Sequence, residues 1–123
     1  ALPETAPGGD QVYTGLIVDA RGLGARPALA PKIVDTEGDE IYGTSYVSRE
    51  YAIQQGMVGY AKDPEKCRAN ERVAPNPFTV KAVGVEGPNK TDIVIPAEQA
   101  AKLKQMAENL NFLRQAKVMI LVD

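Results

Sequence analysis

The sequence contains no histidine and no tryptophan, and it has a single cysteine, Cys67. Histidine is the commonest general base and the commonest metal ligand in proteins, so histidine-based triads and histidine zinc sites are excluded. A lone cysteine forms no disulfide within the chain, so Cys67 does not report on the redox compartment. Lys66 and Arg68 flank Cys67 and favour its thiolate, but no imidazole is present to activate it. We interpret Cys67 as a small buried residue, and we expect no catalytic centre, no metal and no cofactor.

Excess charge and long apolar runs are also missing. Fourteen basic and sixteen acidic side chains leave a formal net charge of -2, so no basic surface for nucleic acid is expected. The longest apolar run, Val118 to Val122, is far shorter than the roughly 20 residues that cross a bilayer, and it predicts a buried strand. The 123 residues, 44% of them hydrophobic and 24% charged, fit one ordinary globular domain.

The chain divides into a short arm and one domain. Residues 1–11 are rich in proline, glycine and acids, a composition that predicts a flexible N-terminal arm, and residues 12–123 form a single α/β domain. The chain starts at Ala1 without a signal segment, so we expect a processed protein whose leader has been removed.

The first two thirds of the domain predict short strands and short helices. Val12 to Asp19 is almost continuously apolar and β-branched, as in a strand covered on both faces. Residues 32–35 and 40–43 predict a hairpin around a glycine-containing turn. Short helices are expected after Ser48 and after Asp63, and a strand is expected from Phe78 to Val85.

The C-terminal third has the clearest periodicity. Between Pro96 and Gln115, apolar residues recur at intervals of three and four and predict one long helix, with a buried stripe of Ala100, Leu103, Met106, Ala107, Leu110 and Leu113. Strands before and after it, at 92–95 and 117–122, predict a β-α-β unit whose strands lie parallel in one sheet. The expected fold class is therefore α+β, an α/β two-layer domain with a mixed sheet of five or six strands and one long helix on one face.

The loop after the first strand contains the best candidate binding residues. Arg21, Gly22, Gly24 and Arg26 combine forked donors with glycines that allow positive φ, which suits a carboxylate or phosphate. The alternative is that Asp19 pairs with one arginine and braces the loop. A dinucleotide-binding loop is not predicted, because the third glycine is missing.

Acidic residues also cluster at the predicted hairpin, at Asp35, Glu37, Asp39 and Glu40. Their spacing departs from a calcium-binding EF-hand loop and no bidentate glutamate closes it. We therefore interpret the cluster as a solvated turn.

The segment from Tyr13 to Gly24, with Arg26 to Ala28, Ala30 to Ile33, Gly38 and Tyr42-Gly43, resembles a recurrent stretch of small bacterial envelope proteins. It is similar to the C-terminal domain of periplasmic and outer-membrane lipoproteins of Gram-negative bacteria, some of them related to flagellar-assembly lipoproteins. The similarity runs over most of residues 12–123. A lipoprotein carries its acyl chain on an N-terminal cysteine, and this chain has Ala1 at that place.

This resemblance implies a non-enzymatic structural or protein-interaction domain, located in the periplasm or at the outer membrane. The expected partner is another envelope protein or a second copy of the chain. A lipid anchor in a full-length precursor stays open. The alternative reading from the residues is a small anionic-ligand binding module that uses the Arg21 to Pro27 loop.

Overall fold

The computed structural model describes residues 13–28, 31–43, 47–74, 76–88, 90–105 and 111–123. The predicted N-terminal arm lies outside these residues. The strands within them are β1 (Gly15–Asp19), β2 (Ile33–Asp35), β3 (Glu40–Tyr42), β4 (Gly59–Ala61), β5 (Pro77–Lys81), β6 (Gly84–Glu86), β7 (Asp92–Ile95) and β8 (Val118–Leu121). The helical segments are α1 (Arg49–Gln55), α2 (Pro64–Ala69), α3 (Ala97–Gln105) and α4 (Asn111–Arg114).

The strands form two sheets of four. The first, which we call the parallel sheet, has the order β4-β8-β1-β5, and all of its strand pairs are parallel. The second, the mixed sheet, has the order β3-β2-β7-β6, with a parallel pair β2-β7 between two antiparallel pairs. The expectation of a mixed α/β architecture is confirmed, but one sheet of five or six strands is wrong.

The central strands of the parallel sheet are buried on both faces, as predicted for β1. Leu16 and Val18 belong to the main core, which residues of both sheets share, whereas Ile17 points to a second, smaller core with Cys67 and Met119. Alternation of this kind follows from the two-residue period of a strand. Burial on both faces explains why β1 and β8 read as continuous apolar runs.

The predicted β-α-β unit is also corrected. β7 pairs with β2 in the mixed sheet, while β8 lies between β4 and β1 in the parallel sheet, so the two strands do not share a sheet. Every residue of β8 is buried, and a strand of this kind is stable only with a neighbour on each edge and cover on each face. The helical segments between β7 and β8 do not require these two strands to lie side by side.

The single strand predicted from Phe78 to Val85 divides into β5 and β6. The N–H of Ala82 donates to the carbonyl of Asp19 in the parallel sheet, and the next N–H, that of Val83, donates to the carbonyl of Val94 in the mixed sheet. The chain therefore passes directly from one sheet to the other at these two residues.

The predicted long helix is seen as α3 and α4, and residues 106–110 between them lie outside the described part of the chain. Ala100, Leu103 and Leu113 from the predicted stripe are buried in the main core. α2 begins as predicted, because the Asp63 carboxylate accepts the N–H groups of Glu65 and Lys66. In the described residues, no helix has both the length and the apolar character needed to cross a membrane.

Candidate functional site

The loop that carries the predicted binding residues leaves the carboxyl end of β1, in the middle of the parallel sheet. Because all four strands of this sheet point the same way, their carboxyl ends meet at one edge. In open α/β sheets, this edge is where ligands usually bind. The edge brings together β1, the chain end after β8, and the segments that follow β4 and β5.

Arg21 forms an ion pair with Asp19 at this edge. Its Nε and Nη2 atoms donate to the two carboxylate oxygens at 2.9 and 2.8 Å, and its backbone N–H donates to Oδ1 at 3.2 Å. The hydrogen bonds from Arg21 hold the pKa of Asp19 below its ordinary value, burial opposes this effect, and the charge of Lys81 lowers it further. The two-pronged donor of Arg21 is therefore engaged within the protein, as the bracing alternative predicts.

Gly22 is engaged as well. Its φ is 82°, a conformation that side chains rarely adopt, and its N–H donates to Oδ2 of Asp123 at 2.7 Å. The carboxylate of Asp123 thus occupies the donor that the loop would offer to an external anion. Gly22 therefore braces the loop through Asp123, and Arg21 braces it through Asp19.

The second half of the loop is arranged differently. Leu23 and Ala25 pack against the main core, while Gly24 and Arg26 are exposed. Gly24 has a φ of 74°, and a Cβ placed on it would meet no heavy atom within 4 Å. The positive φ of the turn therefore favours glycine at this position, and close packing does not. The backbone N–H of Arg26 donates to the carbonyl of Lys90 at 2.9 Å, which anchors the backbone of this half of the loop.

Tyr60 of β4 closes the far end of the loop. Its hydroxyl accepts the N–H of Ala28 at 2.9 Å and donates to the carbonyl of the same residue at 3.3 Å. Burial raises the pKa of Tyr60, and the hydrogen bond with Ala28 lowers it by less. The loop from 20 to 28 is consequently held by β1, by Asp123, by Lys90 and by β4.

Sequence reasoning missed three of the residues that hold this loop, namely Tyr60, Lys90 and Asp123. Each contact depends on tertiary pairing that local patterns do not reveal. For Asp123 a signal existed: it follows a buried apolar strand, and a parallel pairing of that strand with β1 would have placed it beside the loop.

The acidic hairpin is a structural turn. The carboxylate oxygens of Asp35, Glu37 and Asp39 lie within 4.8 Å of one another. Asp35 is 4% exposed, and its Oδ1 accepts the N–H groups of Glu37 at 2.8 Å and Asp39 at 3.0 Å. This pattern is an aspartate-stabilised turn that joins β2 to β3, and it gives the Asp35 carboxylate a structural role.

Cys67 is fully buried in the smaller core, in agreement with its interpretation as a packing residue. Burial raises the pKa of the Cys67 thiol, and the negative charge of Asp19 raises it further. Lys66 and Arg68 are exposed on α2 and do not reverse this direction. A buried, neutral thiol is a poor nucleophile.

Comparison with known proteins gives one family. A family model described as the second domain of Treponema pallidum Tp0624 matches residues 15–123, from the first residue of β1 to the end of the chain. No curated protein matches the chain.

Proposed function

The chain belongs to the Treponema pallidum Tp0624 second-domain family, and from this premise we propose that it is a non-enzymatic interaction domain of the bacterial cell envelope. It resides in the periplasm or at the outer membrane, in a lipoprotein-like protein. Its partner is another envelope protein or a second copy of the chain. In Tp0624 the family occurs as a second domain, so it is joined there to at least one other domain, as expected of a binding module in a larger protein.

One observation supports recognition most directly, namely that an exposed loop is held rigid. The loop from 20 to 28 is fixed by contacts to Asp19, Asp123, Lys90 and Tyr60, yet Gly24 and Arg26 stay on the surface. A surface that is ordered before binding loses less conformational entropy when a partner arrives. Loops on a rigid scaffold are the usual places for recognition.

The reactive groups support a non-catalytic role. Asp19 is paired with Arg21, Asp35 accepts turn N–H groups, and Cys67 is a buried thiol. An enzyme without histidine would depend on groups of this kind, and each of the three has a structural role in the fold.

In-cell crosslinking at the loop tests the proposal. A photo-crosslinking amino acid replaces exposed Pro27, and a control variant carries it at exposed Glu65 on α2. We expect the protein in the envelope fraction and a crosslinked product specific to position 27. Recovery in the cytoplasmic fraction, or equal products from both positions, contradicts the proposal.

The proposal extends to a relationship with flagellar-assembly lipoproteins, which rests on the resemblance over most of residues 12–123. A strain that lacks the protein should then lose motility, and the wild-type gene should restore it. Normal swimming of the deletion strain removes this extension while leaving the envelope role standing.

A second candidate function is small-anion binding by the Arg21 to Pro27 loop, and the exposure of Gly24 and Arg26 favours it. Because Arg21 and the Gly22 N–H are already engaged, the anion would contact the Arg26 half of the loop. A ligand at about 100 times its Kd stabilises a protein by roughly 2.7 kcal/mol. Thermal unfolding in a panel of phosphate and carboxylate ligands should therefore show a stabilised protein, and no change across the panel contradicts this function.

A further inference from the structure

Lys90 is a second cation, and its backbone contacts that of Arg26. Arg26 and Lys90 are joined through a backbone hydrogen bond of 2.9 Å, and both side chains are exposed. Lys90 has a φ of 56°, and its N–H donates to the carbonyl of Gly87 at 3.1 Å, so its backbone is held by hydrogen bonds through both its N–H and its carbonyl. The two cations thus stand on neighbouring, ordered backbone segments that are far apart in the sequence.

Lys32 is a third exposed cation, and its backbone contacts Asp92, two residues after Lys90. Its N–H donates to Oδ1 of Asp92 at 3.1 Å, and its carbonyl accepts the N–H of Ile93 at 2.8 Å. Lys32 is therefore held immediately before β2 and beside the start of β7, and its side chain is exposed. We call Arg26, Lys32 and Lys90 the basic loop cluster.

The cluster keeps an excess of positive charge. Across the described ranges, the one salt bridge joins Arg21 to Asp19, and no member of the cluster takes part in an ion pair there. Asp92 lies near both lysines: its Oδ1 accepts the N–H of Lys32 at 3.1 Å, and its Oδ2 lies 3.8 Å from a Cβ placed on Gly87, whose carbonyl accepts the N–H of Lys90. A Cβ placed on Gly43 would meet both the Glu40 carboxylate and Cγ of Lys32. Among the described residues, no carboxylate forms an ion pair with Arg26 or Lys90, so both cations can pair with a carboxylate from outside the chain.

We propose that the basic loop cluster is the docking surface for an acidic segment of a partner protein, whose carboxylates pair with Arg26 and Lys90. The proposal rests on the interaction role above and names the chemistry of the partner. Cations on three separate loops suit several carboxylates in a row better than one small anion. An arginine beside a lysine combines forked recognition of one carboxylate with a point charge for the next.

An acidic protein segment fits this surface better than a membrane does. Stable membrane attachment requires inserted apolar groups or a lipid chain in addition to a few cations. The large apolar side chains exposed in the described residues are Ile53 and Val83, and neither belongs to the basic loop cluster. The overall charge of -2 also means that the cluster is a local feature and not part of a generally basic surface.

Binding of an oligoglutamate peptide, measured by titration calorimetry at low salt, tests the docking surface. The test variant is Arg26→Glu/Lys90→Glu, and the matched control is Arg68→Glu/Lys66→Glu, which reverses one arginine and one lysine on the exposed side of α2. Thermal unfolding of both variants checks that they fold. We expect the wild type and the control to bind alike and the test variant to bind about tenfold more weakly. Binding should also weaken at physiological salt, where the Debye length is about 8 Å.

Three outcomes overturn the docking surface. They are no peptide binding by the wild type at low salt, equal weakening of both variants, and binding to anionic phosphatidylglycerol vesicles in place of the peptide. If the test variant fails to fold, the single variants Arg26→Gln and Lys90→Gln give the same comparison against Arg68→Gln and Lys66→Gln. The crosslinking experiment at Pro27 is independent of the peptide, so its failure identifies an error in the interaction role itself.

Discussion

The backbone N–H of Gly22 donates to the carboxylate of Asp123 at 2.7 Å across a sequence separation of 101 residues. This contact ties the loop after β1 to the last residue of the chain. The parallel pairing of β1 with β8 makes it possible, because Asp19 lies opposite Leu121 in the register. Asp123 is therefore one of the residues that hold the candidate recognition loop.

Removal of the Asp123 carboxylate should loosen this loop without unfolding the domain. Asp123→Ala leaves the exposed Gly22 N–H to water, so we expect a loss of about 0.5 to 1.5 kcal/mol in unfolding free energy. Amide hydrogen exchange at Gly22 should become faster, while exchange within β1 stays as in the wild type. Asp123→Asn retains an oxygen acceptor and should show a smaller effect; equal effects would mean that the contact does not order the loop.

The Asp19 to Arg21 pair predicts a stability change in acid. The folded pKa of Asp19 lies below its ordinary value of about 3.9, so the folded state binds the proton less tightly than the unfolded state. The stabilising contribution is therefore fully present above that ordinary value and disappears as the pH falls through the lower folded pKa. Urea unfolding from pH 6 down to about pH 2 should reveal this loss.

Two variants identify the source of the acid effect. Asp19→Asn removes the titrating group, and Arg21→Gln removes the main cause of the lowered pKa, so each should flatten the same part of the pH profile. If both variants lose stability in acid as steeply as the wild type, other carboxylates cause the dependence. The comparison uses only the change in unfolding free energy with pH for each variant, so the absolute stability of the domain is not needed.

Local features of this fold were predictable from sequence, whereas long-range pairings were not. The hairpin at Asp35 and the start of α2 at Asp63 depend on side-chain hydrogen bonds to N–H groups two to four residues away, and patterns of residue type reveal these. The division into two sheets depends on which strands β8 pairs with. The uniform burial of β8 is compatible with a central position in either sheet, so the sequence does not identify its neighbours. The split at Ala82 and Val83 leaves no signal either, because both residues continue the strand pattern.

The candidate loop shows the same division. Its glycines and arginines were identified from composition, and so was the alternative that Asp19 pairs with one arginine. Which arginine is engaged depends on geometry: Arg21 reaches back two residues to Asp19, whereas Arg26 is anchored through its backbone to Lys90. The two arginines, equivalent in sequence reasoning, consequently have different expected roles.

The burial of Cys67 predicts an unreactive thiol. In the native protein at neutral pH, we expect slow modification by a thiol reagent such as Ellman's reagent, because burial hinders access and raises the pKa of the thiol. After unfolding in guanidinium, the thiol should react rapidly with one equivalent of reagent. Fast reaction of the native protein, at a rate close to that of the unfolded chain, would contradict the buried position and reopen a chemical role for Cys67.

Gly15 and Gly84 provide a matched test of how closely the chain packs on the parallel sheet. Both lie in strands, but a Cβ on Gly15 would come within 2.6 Å of the Cα of Val73, whereas one on Gly84 would meet no heavy atom within 4 Å. Gly15→Ala forces the backbone of the 70–74 segment to move and should lower the unfolding free energy by about 1 to 3 kcal/mol. Gly84→Ala should be neutral or should stabilise by up to about 1 kcal/mol, because alanine restricts the unfolded chain. Chemical denaturation of the two variants measures this difference. Similar stabilities would mean that Val73 does not lie against β1, and the packing of the smaller core around Ile17 and Cys67 would then be wrong.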